Sequence, residues 1–347
     1  MPKSRYNHRT LNIKSELLDS LVMAYLCKAP ATRAAVAEKC HVSKTTSGKV
    51  ATALFECGFV TQRTDKDVSG RLALHLSLRD NVSVMIIDLS RTRYSMRIVT
   101  VSGEGAFESH HDFDTDISYE DNLTVFLSRS GYKAKLEGHR FDAICVIYSD
   151  TPRVENATSS SLRAYLPQRC DEDKTLGIIR SVFGHRCVVY VSLSNAVSAA
   201  VKLGIISYSA QDHGASYLFA GTRIEAFHVH KSTVNYCNAG SLLVDSRSVA
   251  AIMEKRITHK ELNEVLLRLI NLLCCAFNPD SIIIGSDIYK IDNDTVAGIH
   301  KNLAECGMLC PKLILSTAKP SVIDTAATRL ATAALIRHYV SSTDERQ

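Results

Sequence analysis

Thr32–Val60 reads T-R-A-A-V-A-E-K-C-H-V-S-K-T-T-S-G-K-V-A-T-A-L-F-E-C-G-F-V, and the punctuation of this stretch decides the first fold unit. Thr32 is a side-chain acceptor placed to cap a short helix over Arg33–Lys39. Cys40-His41-Val42 interrupts that helix, and Ser43 is placed to cap the next one, running from Lys44 to about Cys57. Gly58 supplies the left-handed conformation that commonly ends a helix. Upstream, Leu17, Leu18, Leu21, Val22 and Tyr25 recur at helical spacing within residues 11–26. Downstream, Phe59–Arg63 and Arg71–Leu76 read as strands flanking a polar turn at Thr64–Gly70. Helix, short helix, tight turn, helix and hairpin follow in the order of a winged helix-turn-helix, spanning residues 1–79.

In such a module the helix after the turn enters the major groove, with its first residues at the base edges. The line Val42, Thr46, Val50, Leu54 is expected to face inward, leaving Lys44, Thr45, Ser47 and Lys49 outside. Together with Ser43 these are short hydroxyls and long cations, suited to bases and phosphates respectively. Arg33, at a helix start, suits a phosphate, and Lys66 and Arg71 bracket the tip of the wing. Gly48 sits inside the helix at a cost of about 1 kcal/mol; close approach of the backbone to DNA or helix packing would each account for it. Charge agrees with a polyanionic partner. Residues 1–79 hold 13 Lys and Arg against 6 Asp and Glu, a net of +7, so the remainder carries −2 of the chain's +5. Double-stranded DNA is the expected partner, and a protein-binding winged helix the alternative.

A chain of 347 residues fits two or three domains. Its 46% apolar content allows sizeable cores, and no run approaches the ~20 apolar residues of a membrane span. The basic start, M-P-K-S-R-Y-N-H-R-T, is not followed by an apolar signal run, so a cytoplasmic location is expected. The 11 cysteines are scattered among apolar neighbours without C-x-x-C, which reads as small core residues in a reducing compartment. Cys306 and Cys310 form a single C-x-x-x-C with no second pair at zinc spacing. His228-Val229-His230 puts two imidazoles on one face of a strand, with Cys237 alone beyond them. A structural role is the expectation there, and no metal is expected.

The helix-turn-helix stretch resembles the N-terminal domain of ROK-family repressors, whose pattern is close to S-R-x-E-L-A-x-x-x-G-L-S-x-x-T-V-S-x-I-V-x-x-L-x-x-x-G-L-V. The rest of the chain resembles that family's sugar-kinase body in order. Val82–Asp88 followed by Ser95–Val101 resembles the hairpin opening an actin-like ATPase fold, which in the family continues as I-D-x-G-G-T; here the loop is Asp88-Leu89-Ser90-Arg91-Thr92. Phe141–Tyr148 resembles the central strand before G-x-P-G, replaced here by Ser149-Asp150-Thr151-Pro152. Val188–Ala200 resembles V-E-N-D-A-N-A-A-A, Gly221–Glu225 stands at G-T-G-I-G, Ala239–Val244 at A-G-E-x-G-H, and Pro279–Ser286 resembles P-x-x-I-V-x-G-G. The resemblance implies an α/β architecture: a winged helix-turn-helix followed by a two-lobed actin-like fold. The first lobe is expected at 80–190 with 322–347, the second at 191–321.

The departures have chemical consequences. Phosphate-cradling turns use glycine so that backbone N–H groups reach the anion without an intervening Cβ. Ser90-Arg91 and Arg223 with Glu225 replace those glycines. Ser194 stands where the family's kinases place a carboxylate base, and a hydroxyl cannot serve as one. Ser241 and Val244 replace the Glu and His of A-G-E-x-G-H, and the zinc loop C-x-C-G-x-x-G-C is missing, the chain running into a helical stretch at Ser246–Arg256. No catalytic residue and no cofactor are therefore expected. A pocket between the lobes is the default effector site, with Ser192, Ser194, Asn195 and Ser241 as candidates for a sugar-like ligand. The reading is a bacterial, cytoplasmic regulator, expected to be a repressor acting in carbohydrate metabolism, and a homodimer or dimer of dimers. A divergent sugar kinase and an effector-free DNA-binding scaffold are the alternatives.

Overall fold

The computed structural model describes residues 9–26, 31–66, 72–79, 82–89, 93–101, 104–112, 114, 116–148, 171–184, 186–203, 213–220, 224–230, 233–237, 258–286, 291–305, 311–315 and 322–342. Its first unit contains β1 (Arg9–Leu11), α1 (Ser15–Tyr25), β2 (Ala31–Thr32), α2 (Arg33–Lys39), α3 (Lys44–Glu56), β3 (Val60–Lys66) and β4 (Leu72–Leu78). Three helices pack on a small sheet of order β2-β4-β3, the arrangement of a winged helix. The local signals act as expected. Thr32 accepts from the Ala35 amide, Ser43 accepts from the Thr46 amide at 3.1 Å, and Gly58 is left-handed at φ 89°. The first helix starts later than its periodicity suggests, because Arg9–Leu11 is drawn into a strand.

The body holds two five-stranded sheets built on one plan. The first contains β5 (Ser83–Asp88), β6 (Arg93–Thr100), β7 (Gly105–Asp112), α4 (Tyr119–Leu136), β8 (Ala143–Tyr148), α5 (Glu172–Phe183) and β9 (Cys187–Ser192). After α6 (Leu193–Lys202) the second contains β10 (Ala215–Ala220), β11 (Ile224–His230), β12 (Thr233–Cys237), α7 (His259–Phe277), β13 (Ser281–Gly285), α8 (Asn293–Glu305) and β14 (Lys312–Leu315). Their orders, β7-β6-β5-β8-β9 and β12-β11-β10-β13-β14, superpose term by term: an antiparallel three-strand meander, then two strands added in parallel. Central strands buried on both faces read as unbroken apolar runs, as Val84–Ile87 and Ile144–Ile147 do.

The chain closes with α9 (Val322–Tyr339) and β15 (Val340–Ser342). Small residues on α9 (Ala326, Ala327, Ala331) and on α6 (Ala196, Ala199, Ala200) are buried in the same core, which allows the two helices to pack closely. That core also takes in Leu21 of α1, Leu54 of α3, Val84 of β5 and Phe227 of β11. It therefore runs from the winged helix through α6 and α9 to both sheets. Two smaller cores lie under α4 with α5 and under α7 with α8. No described helix is long and apolar enough to cross a membrane.

The N-terminal module is fixed to the body by the chain's own end. β1 pairs in parallel with β15, Arg9 opposite Val340 and Leu11 opposite Ser342. Arg329 of α9 donates to the Leu26 carbonyl at 3.1 Å, Arg337 pairs with Asp19 at 3.1 Å, and the rings of Phe59 and Tyr339 meet at 5.9 Å.

Candidate nucleic-acid interface

The outer face of α3 is set by what its inner face must hold. Val50, Ala51 and Leu54 are buried, and so is Ser47, at 0% exposure. The expectation that Ser47 lies outside is corrected here, because the buried stripe runs through Ser47, Val50, Ala51 and Leu54 while Thr46 is only half-buried. Ser47 Oγ donates to the Arg33 carbonyl at 2.9 Å and lies 2.6 Å from the Tyr25 hydroxyl, which also donates to the Ser47 carbonyl at 3.0 Å. Burial raises the Tyr25 pKa, with the Ser47 hydrogen bond opposing the shift, so the phenol stays protonated as a donor. Ser47 thus ties α3 to α1 and to the start of α2 rather than to a ligand.

Ser43, Lys44, Thr45, Lys49 and Thr52 are exposed along the first three turns of α3. Among the described residues neither Lys44 nor Lys49 is ion-paired, and the first turn carries no acidic side chain. With the helix N-terminus itself partly positive, this face attracts anions. Arg33 extends along it, its Cδ at 3.9 Å from where a Cβ on Gly48 would stand. A groove of about 490 Å³ follows, lined by Arg33, Thr45, Gly48, Lys49 and Thr52, and by Arg9 of β1. Arg9 is held at 2.9 Å from Glu56. Sequence reading missed Thr52 and Arg9. Thr52 follows from helical spacing once Gly48 and Lys49 face out, whereas Arg9 is brought in only by the pairing of β1 with β15. The Lys66 side chain and Arg71, with the wing tip between them, lie outside the described residues.

The expected effector cleft is distributed differently. Ser192 is 3% exposed and accepts from the Asn195 amide at 3.3 Å, capping α6. Asn195 is exposed and opens toward the seam with the N-terminal module. The Ser194 side chain, Ser241, Arg91, Arg223 and the stretch Ser246–Arg256 lie outside the described residues. The best-defined feature of the body is instead at Asp88, the residue aligned with the Asp of I-D-x-G-G-T. Its side chain is 0% exposed and lies 3.6 Å from the Arg97 guanidinium, which donates to Asp324 of α9 at 2.8 Å. Arg97 reaches both carboxylates from the neighbouring strand β6, and nothing in the local sequence announces it. Cys145 on β8 is buried beside this cluster, and burial followed by the two carboxylates pushes its thiol well up. Burial also raises Cys57 to about 11 and raises Cys187, so these thiols stay protonated and unreactive. His228 is buried, stacks on Phe277 at 4.7 Å and lies 3.0 Å from Ser216 Oγ. Among the described residues no three His, Cys, Asp or Glu side chains come together as a metal site.

No family model and no curated protein matches the chain. Solved structures do. The crystal structure of a ROK family transcriptional regulator, described as a homolog of the E. coli MLC protein, superposes with a TM-score of 0.59 at 14% identity, over 92% of this chain and 97% of that one. The polyphosphate/ATP-glucomannokinase of Arthrobacter sp. strain KM gives 0.46 at 14% identity over 73% and 99%. A ROK family glucokinase from Streptomyces griseus, in complex with glucose and AMPPNP, gives 0.43 at 11% over 72% and 99%. The nearly full-length match to the regulator establishes the fold: α/β, with a winged helix preceding a two-lobed actin-like body.

Proposed function

We propose that this chain is a ROK-type, DNA-binding transcriptional regulator, cytoplasmic and dimeric, whose kinase-like body no longer transfers phosphate. The observation that carries this reading is the outer face of α3. Lys44 and Lys49 stand exposed beside Thr45 and Gly48, on a helix capped at Ser43 and clamped at Ser47. Cations over an open stretch of backbone suit a phosphate-flanked groove. A dimer of the body presents two such helices to half-sites about 10 base pairs or more apart.

The loss of kinase activity is supported by Asp88. A fully buried carboxylate that shares the Arg97 guanidinium with Asp324 is poorly placed to hold a nucleotide-bound metal ion.

Lys44→Ala with Lys49→Ala tests the reading by fluorescence anisotropy on duplex DNA across a salt series. Each phosphate contact contributes about 0.9 to the slope of log K against log salt. We expect weaker binding and a slope reduced by about 2. Unchanged affinity and slope overturn the assignment. The sugar-kinase alternative predicts ATP turnover with a hexose in a coupled assay; we expect none.

A further inference from the structure

Among the described residues five large apolar side chains stand exposed, and three of them belong to α4 and its entry: Ile117 at 39%, Tyr132 at 65% and Leu136 at 69%. The inner side of α4 is fully engaged, with Leu123, Phe126, Leu127 and Ala134 buried in the core of the first sheet. On the outer side Asp121, Val125, Ser128, Tyr132 and Lys135 follow one another at steps of four and three. That is the spacing of a seam along which a second helix can lie. Val125 is half-buried and the other four are exposed.

Charge along this seam is sorted by end. Asp116 and Asp121 stand at the N-terminal end, Arg129 and Lys135 toward the C-terminal end. Among the described residues none of these four is ion-paired; the Asp121 carboxylate accepts from the Ser118 hydroxyl at 2.7 Å. Neighbouring charges are engaged elsewhere. Glu120 is held by Lys174 at 2.7 Å, Glu137 lies 3.1 Å from His139, and Lys133 stands over the Phe107 ring.

A surface with acid at one end, base at the other and apolar groups at both matches itself after a half-turn. With two copies of α4 antiparallel and the axis level with Phe126 and Leu127, Val125 meets Ser128 and Asp121 meets Tyr132. Asp116 and Ile117 then meet Lys135 and Leu136. Side-by-side parallel helices would instead set like charges together.

We propose that this face of α4 is a twofold interface between two copies of the chain. The proposal rests on the dimeric part of the reading above, names its surface, and owes nothing to DNA binding. A helix of 18 residues is about 27 Å long. One such pair buries less than a standard interface, so the contact is reversible, with a micromolar Kd.

Sedimentation velocity of the full chain from about 1 to 100 µM reads that constant. Tyr132→Glu with Leu136→Glu is expected to remove the association. Both side chains are mostly exposed, so the melting temperature is expected to match the parent. Each charge pair occurs twice across the axis, so Lys135→Glu and Asp116→Lys are each expected to weaken the dimer about tenfold. The two combined in one chain are expected to restore it to within about threefold of the parent.

A parent chain that stays monomeric throughout overturns both the interface and the dimeric reading. A dimer that Tyr132→Glu with Leu136→Glu leaves unchanged overturns the interface and leaves the dimeric reading standing. Charge variants whose effects add rather than cancel overturn the antiparallel register.

Discussion

Two adjacent residues of α3 have opposite duties. Ser47 is spent inside: replacing it with Ala removes its hydrogen bond to the Arg33 carbonyl and its contact with the Tyr25 hydroxyl, at a cost of about 0.5–1.5 kcal/mol. Urea denaturation is expected to register that loss, while the salt slope of DNA binding stays unchanged. Gly48 behaves in the reverse way. The nearest atom to an added Cβ is 3.9 Å away, so Ala fits, and Ala is favoured over Gly within a helix by about 0.8–1.0 kcal/mol. Gly48→Ala is expected to raise the denaturation midpoint and lower DNA affinity. Affinity that rises with stability places the helix backbone away from DNA. The caps at Thr32 and Ser43 and the stop at Gly58 were legible because each acts within a turn of its own position. The face of Ser47 was not, since it is decided by Tyr25, 22 residues earlier in the chain.

Strand β11 shows how far an element's pattern carries. Alternation placed His228 and His230 on one face, and a structural role follows for His228, packed on Phe277 of α7. Its pKa is lowered from 6.5, first by burial, then by His230, with Asp280 opposing. A depressed histidine contributes stability that is full above pH 6.5 and is lost as pH falls below that value toward the folded-state pKa. Melting between about pH 5 and pH 7 is expected to be less pH-dependent in His228→Gln than in the parent protein; equal dependence assigns the acid sensitivity elsewhere. Helix α9 falls in the C-terminal segment expected to join the first lobe, yet its role was not readable there. A run of alanines says that something packs closely, and only the fold says that α6, β8 and the winged helix do so.

Across the molecule, the order of motifs was enough to predict two lobes, because each strand of the central pairs is a local apolar run. The best-defined buried contacts of the body are long-range. Arg97, which also reaches Asp88, meets Asp324 from 227 residues away in sequence, and no local window of sequence contains all three. Arg97→Ala takes the guanidinium away from two carboxylates of 0% and 1% exposure, and breaking a buried pair in this way costs about 3–5 kcal/mol. We expect a loss of that size in urea denaturation, partly recovered by Arg97→Lys; a loss below about 1 kcal/mol removes the triad from the account of stability. The pairing of Arg9–Leu11 with Val340–Ser342 has a consequence for biosynthesis. The winged helix is made before the body, and β1 has no partner strand until residue 342 has been added. At about 5–20 residues per second, that interval is on the order of tens of seconds. During it the nascent chain carries α1, α2 and α3 without the body on which they are later seated.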